Sequence, residues 1–246
     1  MKQNAYDQDI FFEKYSQMER SVKGLEGAGE WHALKKMLPD FTGKRVLDLG
    51  CGFGWHCRYA AEHGAKEVIG LDPSQKMLER AAKCNAAPVI RYIQTMMEEY
   101  TYPKQAFDIV ISSLALHYVE SFDEICQKVA GTLTRGGIFV FSVEHPVFTA
   151  QGPQQWLYDP DGRICCWPVD RYFDEGEREA IFLGEPIRKY HRTLTTYWNG
   201  LVQNGLTVTD IVEPEPPSEM LSIPGMADEL RRPMMLLISA CKMQEI

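Results

Sequence analysis

Short apolar runs alternate with segments of helical periodicity through the middle of this chain. From Gly43 onward, apolar stretches at 45–49, 67–71, 89–94, 108–112 and 137–143 predict strands. Between them, apolar positions recur every three to four residues at 54–63, 74–85 and 121–133, which predicts helices, the second with Ser74 as N-cap. Strands that alternate with helices form right-handed βαβ units, so the pattern predicts a parallel, doubly wound α/β sheet.

Weaker patterns flank this region. Near the N-terminus, Phe11, Tyr15, Met18 and Val22 share one face of a predicted amphipathic helix over 8–22, and a short helix follows before Pro39. Towards the C-terminus, 191–204 predicts a helix, while 207–213 and 234–241 predict two more strands. The sheet is therefore expected to have seven strands, and the last strand to run antiparallel.

The segment from Pro146 to Pro186 breaks the alternation. It is rich in Pro, Gly, Trp, Tyr and charged residues, has no sustained periodicity and is longer than an ordinary loop of a compact domain. We interpret it as a lid inserted over a cleft. The sequence predicts a single domain over 1–246, divided into N-terminal covering helices (1–42), a core (43–145), the lid (146–190) and a C-terminal helix with strands (191–246).

Composition narrows the choice of partner. The 246 residues are 45% hydrophobic and 24% charged, as in ordinary globular proteins, and the net charge of −8 argues against nucleic acid as a partner. No run of about 18 apolar residues predicts a membrane span. The seven cysteines include no C-x-x-C pair, so no metal site is expected. Reduced thiols and an N-terminus without an apolar signal core predict a cytoplasmic location.

The strongest functional signal is a glycine-rich turn. Gly50, Gly52 and Gly54 follow the first predicted strand and precede a helix. Glycine permits a tight turn and lets a ligand approach the main chain, and the helix start offers free N–H groups to a negative group. Asp72 ends the second strand about 20 residues later, where a carboxylate accepts hydrogen bonds from both hydroxyls of a ribose.

The spacing does not suit a nicotinamide dinucleotide. In the dinucleotide fingerprint a third glycine stands three positions after the second, and here Trp55 occupies that position. Asp48, just before the first glycine, also fits a cofactor that carries an ammonium group better than one that carries only phosphates. A nicotinamide dinucleotide is therefore the weaker hypothesis.

These motifs resemble the class I S-adenosylmethionine-dependent methyltransferases, most closely the small-molecule subgroup called type 11 or type 25. The resemblance is carried by D-L-G-C-G-x-G at 48–54, by Asp72, by the segment 107–118 and by G-x-L-x-x-G-G at 131–137. It covers 43–143 well and leaves 146–190 uncovered. It implies a Rossmann-like sheet, S-adenosylmethionine as cofactor with S-adenosylhomocysteine as product, and methyl transfer to a small-molecule acceptor.

The resemblance also implies the cofactor-binding positions. Gly50, Cys51 and Gly52 would hold the methionine half, with Asp48 orienting the turn and approaching the amino group. Asp72 would hold the ribose. The family usually has an Asp after the third strand, where this chain has Met96. Ser113 and Leu114 would line the sulfonium and the methyl group. Tyr15 and Arg20 would cover the cofactor, with Arg20 at its carboxylate, or else Tyr15 belongs to the apolar stripe and Arg20 is a solvated charge. The remaining positions are Met77, Met97, Glu98 and His117.

An acceptor is expected beyond the carboxyl ends of the fourth and fifth strands. His145 leaves the fifth strand on that side, and a neutral imidazole there could act as a general base or could simply hydrogen-bond the start of the loop. His191 is a second catalytic candidate. Candidate substrate contacts from the lid and just after it are Trp167, Arg171, Tyr172 and Arg192, although the lid aromatics could equally pack onto the sheet.

Motifs of narrower methyltransferase classes are absent. Residues 112–115 read Ser-Ser-Leu-Ala instead of the Asn/Asp-Pro-Pro-Tyr of enzymes that act on exocyclic or amide nitrogen, and no Pro-Cys dipeptide supports a covalent cytosine mechanism. The leading hypothesis is a small-molecule methyltransferase acting on oxygen, nitrogen or carbon. A protein or nucleic-acid methyltransferase and a non-catalytic cofactor-binding protein remain the alternatives.

Overall fold

The computed structural model describes residues 5–243, so the outermost residues of the predicted terminal segments, 1–4 and 244–246, lie outside it. The strands are β1 Arg45–Leu49, β2 Glu67–Asp72, β3 Ile90–Gln94, β4 Phe107–Ser113, β5 Leu133–Glu144, β6 Leu157–Tyr158, β7 Ile164–Cys166, β8 Gly176–Phe182, β9 Glu185–His191, β10 Leu206–Val212 and β11 Met235–Lys242. The α-helices are α1 Asp9–Ser16, α2 Glu19–Val22, α3 Trp31–Met37, α4 Trp55–Glu62, α5 Gln75–Cys84, α6 Phe122–Thr132, α7 Pro146–Ala150 and α8 Leu194–Gln203. Within residues 5–243, every helix is too short or too polar to cross a membrane.

One sheet of seven strands organises the molecule. Its order is β10-β11-β5-β4-β1-β2-β3. Neighbouring strands among β1 to β5 pair in parallel, whereas β11 pairs antiparallel with both β5 and β10. This confirms the doubly wound, mostly parallel sheet with an antiparallel last strand. The direction of winding reverses between β1 and β4, and a ligand crevice is expected at the carboxyl ends of these two strands.

Apolar side chains cover both faces of the sheet. Leu47, Val110 and Phe141 belong to a core cluster that also contains residues of α6 and α8, while Val46 and Ile109 belong to a second cluster with residues of α4 and α5. A third cluster joins α3 to β5 and β11. Because helices cover both faces, the central strands are apolar at nearly every position, as their continuous apolar runs predict.

Short hydroxyl side chains begin the helices that flank the site. Ser74 Oγ accepts a hydrogen bond from Met77 N–H at 3.2 Å and so caps α5, as expected. Ser121 caps α6 in the same way, and Thr193 caps α8. These caps satisfy amide groups that would otherwise have no partner in the first turn.

The prediction of one helix over 8–22 was wrong. The chain forms α1 and α2 with a break at residues 17 and 18, where Met18 has the extended ψ of 147°. Ser16 Oγ donates to the Phe12 carbonyl at 2.7 Å, a back-bond that competes with the regular helix. The break turns Ser21 inward and leaves Val22 64% exposed, so Val22 is not part of the apolar stripe that was predicted.

The region 146–190 contains regular structure that its pattern does not reveal. It begins with α7, continues through the β6–β7 ribbon and ends in a β8–β9 hairpin paired from Gly176↔His191 to Phe182↔Glu185. The prediction that His191 begins a helix was also wrong, because His191 ends β9 and α8 begins at Leu194. Both strands of the hairpin carry many charged residues, which hides the two-residue period.

Candidate active site

The glycine turn depends on backbone conformations that favour glycine. Gly50, Gly52 and Gly54 have φ of +76°, +52° and +76°. The N–H groups of Gly50 and Cys51 both donate to the Leu71 carbonyl, at 2.9 and 2.8 Å, and hold the turn against the end of β2. A Cβ on Gly50 would lie 2.4 Å from the Ala115 Cβ, so close approach as well as positive φ requires glycine there.

Asp72 connects the turn to the start of α5. One carboxylate oxygen accepts from Gly52 N–H and the other from Ser74 N–H, both at 2.9 Å. Burial raises the pKa of Asp72 to about 6, against the lowering effect of these two hydrogen bonds. Each oxygen retains a lone pair, because a carboxylate can accept about four hydrogen bonds. The side chain is therefore able to accept hydrogen bonds from two ribose hydroxyls.

Asp48 lies beneath the turn and is only 1% exposed. Its Oδ2 accepts from the Cys57 thiol of α4 at 3.3 Å. Burial raises the pKa of Asp48 to about 7, although the hydrogen bond from Cys57 acts in the opposite direction. The Cys51 thiol is also buried. The partner that the structure gives to Asp48 is thus a thiol of the neighbouring helix.

The N-terminal helices bring Tyr15 and Arg20 to the same region. The Arg20 guanidinium forms an ion pair with Oε1 of Glu30, a carboxylate that is 2% exposed. Arg20 therefore has a buried carboxylate as partner, which argues against the alternative of a solvated charge. Tyr15 meets Phe53 of the glycine turn edge to face, with ring centroids 5.6 Å apart. Within residues 5–243, the buried Oε2 of Glu30 has no hydrogen-bond partner.

Leu114 and His117 lie at the carboxyl end of β4. Leu114 has φ of +51°, and its N–H donates to the Ser142 carbonyl at 2.9 Å. A branched residue in this region of φ is strained, and such strain concentrates at functional sites. Ser113 Oγ lies 3.3 Å from Ser142 Oγ. His117 is 2% exposed, and burial lowers its pKa to about 4, so its imidazole is neutral.

The methionines after β3 divide into two environments. Met97 is 8% exposed, and its Cε would lie 3.6 Å from a Cβ on Gly50, which places it beside the turn. Met96 is 44% exposed and provides no polar side chain at the position where the family usually has Asp. The Glu98 carbonyl accepts from Lys128 Nζ at 2.5 Å. Met77 lies buried on α5.

His145 has partners of its own at the end of β5. Its Nδ1 accepts the N–H of Val147 at 3.0 Å and caps α7. Its Nε2 lies 2.8 Å from Glu213 Oε1, and burial lowers the pKa of the imidazole even though Glu213 acts to raise it. This geometry favours the alternative in which His145 hydrogen-bonds the start of the loop over its action as a base.

His191 and Arg192 are also occupied within the fold. His191 Nδ1 lies 2.7 Å from Thr149 Oγ1, and its Nε2 lies 2.9 Å from the Tyr172 carbonyl, so neither nitrogen is available to a substrate. The buried Arg192 guanidinium donates to backbone carbonyls of the segment after β4, those of Leu116, Val119 and Glu120. Arg192 therefore fixes that segment through its backbone carbonyls.

The other candidate contacts of the lid take structural positions. Trp167 stacks on Phe148 with centroids 5.0 Å apart, and its Nε1 donates to the Val147 carbonyl at 3.1 Å. Arg171 is exposed and pairs with Asp174. Tyr172 Oη accepts from Leu194 N–H at 3.2 Å. These contacts support the packing interpretation of the lid aromatics.

Sequence reasoning missed several polar residues that gather at the ends of β4 and β5. Glu144 Oε1 accepts from Lys189 Nζ at 2.6 Å, and its Oε2 accepts from Gln154 Nε2 at 2.8 Å. The hydroxyls of Tyr6 and Tyr118 lie 3.0 Å apart. Glu144 is the last residue of β5, whereas His145 directly after it caps α7, so the two neighbouring residues have different partners.

The residues present fit S-adenosylmethionine. A Cβ on Gly52 would meet no atom within 4 Å, so the space beside the turn is open to a ligand. Asp72 provides acceptors for a ribose. The guanidinium of Arg20 and the unpartnered Oε2 of Glu30 provide opposite charges that complement the carboxylate and ammonium of a methionine moiety.

Comparison with known proteins agrees with this geometry. A family model described as "Methyltransferase domain" matches residues 47–141. A Listeria monocytogenes structure assigned to the S-adenosylmethionine-dependent methyltransferases is 57% identical, covers 90% of this chain and 100% of its own, and superposes with a TM-score of 0.86. An S-adenosylmethionine-dependent methyltransferase from Mesorhizobium loti is 45% identical, with 89% and 100% coverage and a TM-score of 0.82.

A more distant relative is a tRNA U34 carboxymethyltransferase of Marinobacter nauticus. It is 30% identical over 138 residues, which make up 54% of this chain and 40% of that protein. Its match spans less than half of its own length, whereas the two solved structures match over their whole length. The chain therefore belongs to the S-adenosylmethionine-dependent methyltransferases, an enzyme family whose cofactor is S-adenosylmethionine.

Proposed function

We propose that this enzyme transfers a methyl group from S-adenosylmethionine to a small-molecule acceptor by direct in-line displacement. The acceptor atom would be oxygen, nitrogen or carbon. The cofactor supplies a methyl group already activated by a sulfonium leaving group. The work left to the chain is to hold the two reactants in line and to exclude water, and orientation of this kind contributes up to about 7–11 kcal/mol.

The observation that carries the proposal is the enclosure of the site. The N-terminal helix α1 meets the β8–β9 hairpin, with the Phe11 and Phe182 rings 5.9 Å apart and Lys14 Nζ donating to the Leu183 carbonyl at 2.9 Å. Phe11 is completely buried. Two covering elements that meet in this way suit a compact acceptor, whereas a protein or an RNA needs an open groove.

Specific residues would hold the reactants. We assign Gly50, Gly52 and Asp72 to the cofactor, on the hydrogen bonds and the open space of the turn. Leu114 would begin the segment that faces the acceptor. Its strained backbone is fixed by hydrogen bonds from its N–H to Ser142. The backbone contacts of Arg192 keep that segment in place.

Charge supports a small acceptor over a nucleic acid. The chain carries 26 Lys and Arg against 34 Asp and Glu, and buried arginines such as Arg20 and Arg192 are committed to internal partners. Nucleic-acid binding relies on clustered surface cations that displace counterions. The tRNA relative, matched over 40% of its own length, is thus not a guide to the acceptor.

Labelled methyl transfer tests the proposal. The enzyme would be incubated with methyl-labelled S-adenosylmethionine and a bacterial extract separated into small molecules, RNA and protein. We expect label in the small-molecule fraction. Label confined to RNA or protein would contradict the small-acceptor proposal, and cofactor binding without label in any fraction would favour a non-catalytic role.

A further inference from the structure

Three polar side chains form a closed triangle at the carboxyl end of β5. Glu144 accepts from Lys189 at 2.6 Å and from Gln154 at 2.8 Å, and Lys189 Nζ also donates to Gln154 Oε1 at 3.2 Å. The three residues come from β5, from the segment after α7 and from β9. The Lys189 side chain is 3% exposed, and the Glu144 side chain is 13% exposed. The triangle thus has a buried lysine and two half-buried partners, and it joins the sheet to the hairpin.

The position of the triangle relates it to the methyl-transfer end of the site. Residues 142 and 144 lie on the same face of β5, about 7 Å apart along the strand, because side chains alternate with a period of two. Ser142 accepts the N–H of Leu114 at the end of β4. Glu144 N–H donates to His117 Nδ1 at 3.4 Å. The carboxylate therefore lies just beyond the segment that is expected to line the methyl group.

Stability does not account for these charges. Transferring a lysine and a glutamate from water costs several kcal/mol per ion, and an apolar pair of similar volume is often equally stable or more so. Buried charged groups with a specific charge partner also occur at functional sites. The Phe182 ring centroid lies 5.4 Å from Lys189 Nζ, and the Tyr118 ring packs against His117, which accepts the N–H of Glu144.

We propose that Glu144 binds the nucleophilic O–H or N–H of the acceptor and takes its proton, with Lys189 and Gln154 as positioning residues. This inference rests on the proposed function and narrows the acceptor to a hydroxyl compound or an amine. The acceptor oxygen or nitrogen bonds to the methyl carbon while the S–CH3 bond breaks and its electron pair stays on sulfur. The acceptor proton passes to the Glu144 carboxylate.

The groups around Glu144 determine its protonation. Burial acts to raise the pKa of Glu144, but His117, Lys189 and the hydrogen bonds from Lys189 and Gln154 hold it below its ordinary value. The other titratable groups that face it are Tyr118 and Tyr197, which are neutral at pH 7 because burial raises the pKa of each phenol. Glu144 is therefore ionised throughout the neutral range.

Removal of Lys189 tests this arrangement through the pH profile. In Lys189→Met the carboxylate loses its cation, so its pKa rises, and the acid limb of methyl transfer moves to higher pH. The profile is measured with S-adenosylmethionine saturating at every pH, so that the titration of Asp72 and Asp48 in cofactor binding does not enter it. His117 also titrates on the acid side, since burial lowers its pKa to about 4. We expect the shift to persist in the double variant Lys189→Met, His117→Gln, as it must if Glu144 is the group that titrates.

The direct test compares Glu144→Gln with Glu179→Gln, an exposed glutamate of β8. Label transfer into the small-molecule fraction would be measured beside calorimetric titration with S-adenosylhomocysteine. We expect Glu144→Gln to lose about 100-fold or more in transfer, the effect of losing a proton-accepting group, with an unchanged dissociation constant for the product. Glu179→Gln should resemble the wild type.

The outcomes separate this inference from the proposed function. If Glu144→Gln transfers label as well as the wild type does, the role of Glu144 is overturned and the proposed function still stands. Loss of transfer in Lys189→Met without any shift of the acid limb would also overturn it, because a merely structural triangle behaves in that way. If the wild type binds S-adenosylhomocysteine but transfers label to no fraction, both the role of Glu144 and the proposed function are overturned.

Discussion

At the scale of single residues, the site depends on backbone geometry that only particular side chains permit. Gly50 combines a positive φ with a close approach to Ala115, and Leu114 holds a positive φ in spite of its branched side chain. Asp48 and Asp72 are carboxyl groups buried beneath and beside the turn. The glycine and the two carboxyl groups each support a test that does not require knowledge of the acceptor.

Replacement of Gly50 by alanine should abolish cofactor binding. The new Cβ would lie 2.4 Å from Ala115, and a positive φ costs an L-residue about 1–2 kcal/mol. Calorimetry with S-adenosylhomocysteine and thermal unfolding would measure the effect. The matched control is Gly131→Ala in α6, where a Cβ meets no atom within 4 Å and a gain of about 0.5–1 kcal/mol is expected. Undiminished binding by Gly50→Ala would refute this account of the turn.

Cofactor affinity should rise with pH. Burial raises the pKa of Asp72 to about 6 and that of Asp48 to about 7, so the empty fold favours the protonated carboxyls, and this contribution to stability is lost as pH rises through those values. A ribose that donates to Asp72, and an ammonium near the turn, favour the ionised forms. Binding should therefore release protons between about pH 5 and 8.

Calorimetry in buffers of different ionisation enthalpy measures that proton release directly. The Asp72→Asn variant serves as the comparison, since an amide keeps the shape of the side chain but does not titrate. We expect it to lose the step near pH 6. Affinity that is independent of pH in the wild type would mean that Asp72 does not change its protonation on binding.

At the scale of elements, two covers of different origin meet over the ends of the strands. Helix α1 comes from the N-terminal segment and the β8–β9 hairpin from the insertion. They share the contact of Phe11 with Phe182 and the hydrogen bond from Lys14 to the Leu183 carbonyl. Because each cover buries side chains of the other, we expect them to open and close together.

Truncation of Phe182 tests that coupling. Phe182→Ala removes a ring that contacts Phe11 and lies 5.4 Å from Lys189 Nζ. We therefore expect added protease to cleave faster within 176–191 and S-adenosylhomocysteine to be released faster. Stopped-flow displacement measures the release. Ile181→Ala, at a neighbouring position that is 54% exposed, is the control. Equal rates in the two variants would argue against a shared cover.

The sequence predicts the sheet well because its strands are buried on both faces. Continuous apolar runs such as 45–49 match the observed strand bounds, and Ser74 marks the start of α5 as expected. The hairpin escaped prediction because its charged strands pair with each other outside the main sheet, so neither shows a continuous apolar run. Strand register, unlike strand position, depends on partners far away in the sequence.

The site was predictable where backbone demands are local and unpredictable where distant residues meet. The glycine turn and Asp72 stand at a fixed spacing within one βαβ unit, and the structure joins them by a 2.9 Å hydrogen bond. Lys189 follows Glu144 by 45 positions and Gln154 follows it by 10, and no local pattern of the sequence encodes these contacts. His145 drew attention as a histidine, but it lies beyond β5 and caps α7, whereas its neighbour Glu144 is the last residue of the strand.

At the scale of the whole molecule, the order of the strands explains where the chemistry occurs. The winding of the sheet reverses between β1 and β4, and the glycine turn and Leu114 stand at the carboxyl ends of those strands. The Listeria monocytogenes and Mesorhizobium loti structures match 90% and 89% of the chain, a span well beyond the seven-stranded sheet itself. A ligand that binds only the folded state stabilises all of these parts together.

The central claim is that the turn after β1 and the carboxylate after β2 bind S-adenosylmethionine together. Calorimetric titration of S-adenosylhomocysteine into the wild type, into Asp72→Ala and into Asp40→Ala, an acidic control on an exposed turn, tests it most directly. Two charge-assisted hydrogen bonds to a ribose are worth about 1.5–3 kcal/mol each, so Asp72→Ala should bind at least about 100-fold more weakly while Asp40→Ala binds normally. Equal affinity in all three proteins, with their folds intact by circular dichroism, would contradict the account.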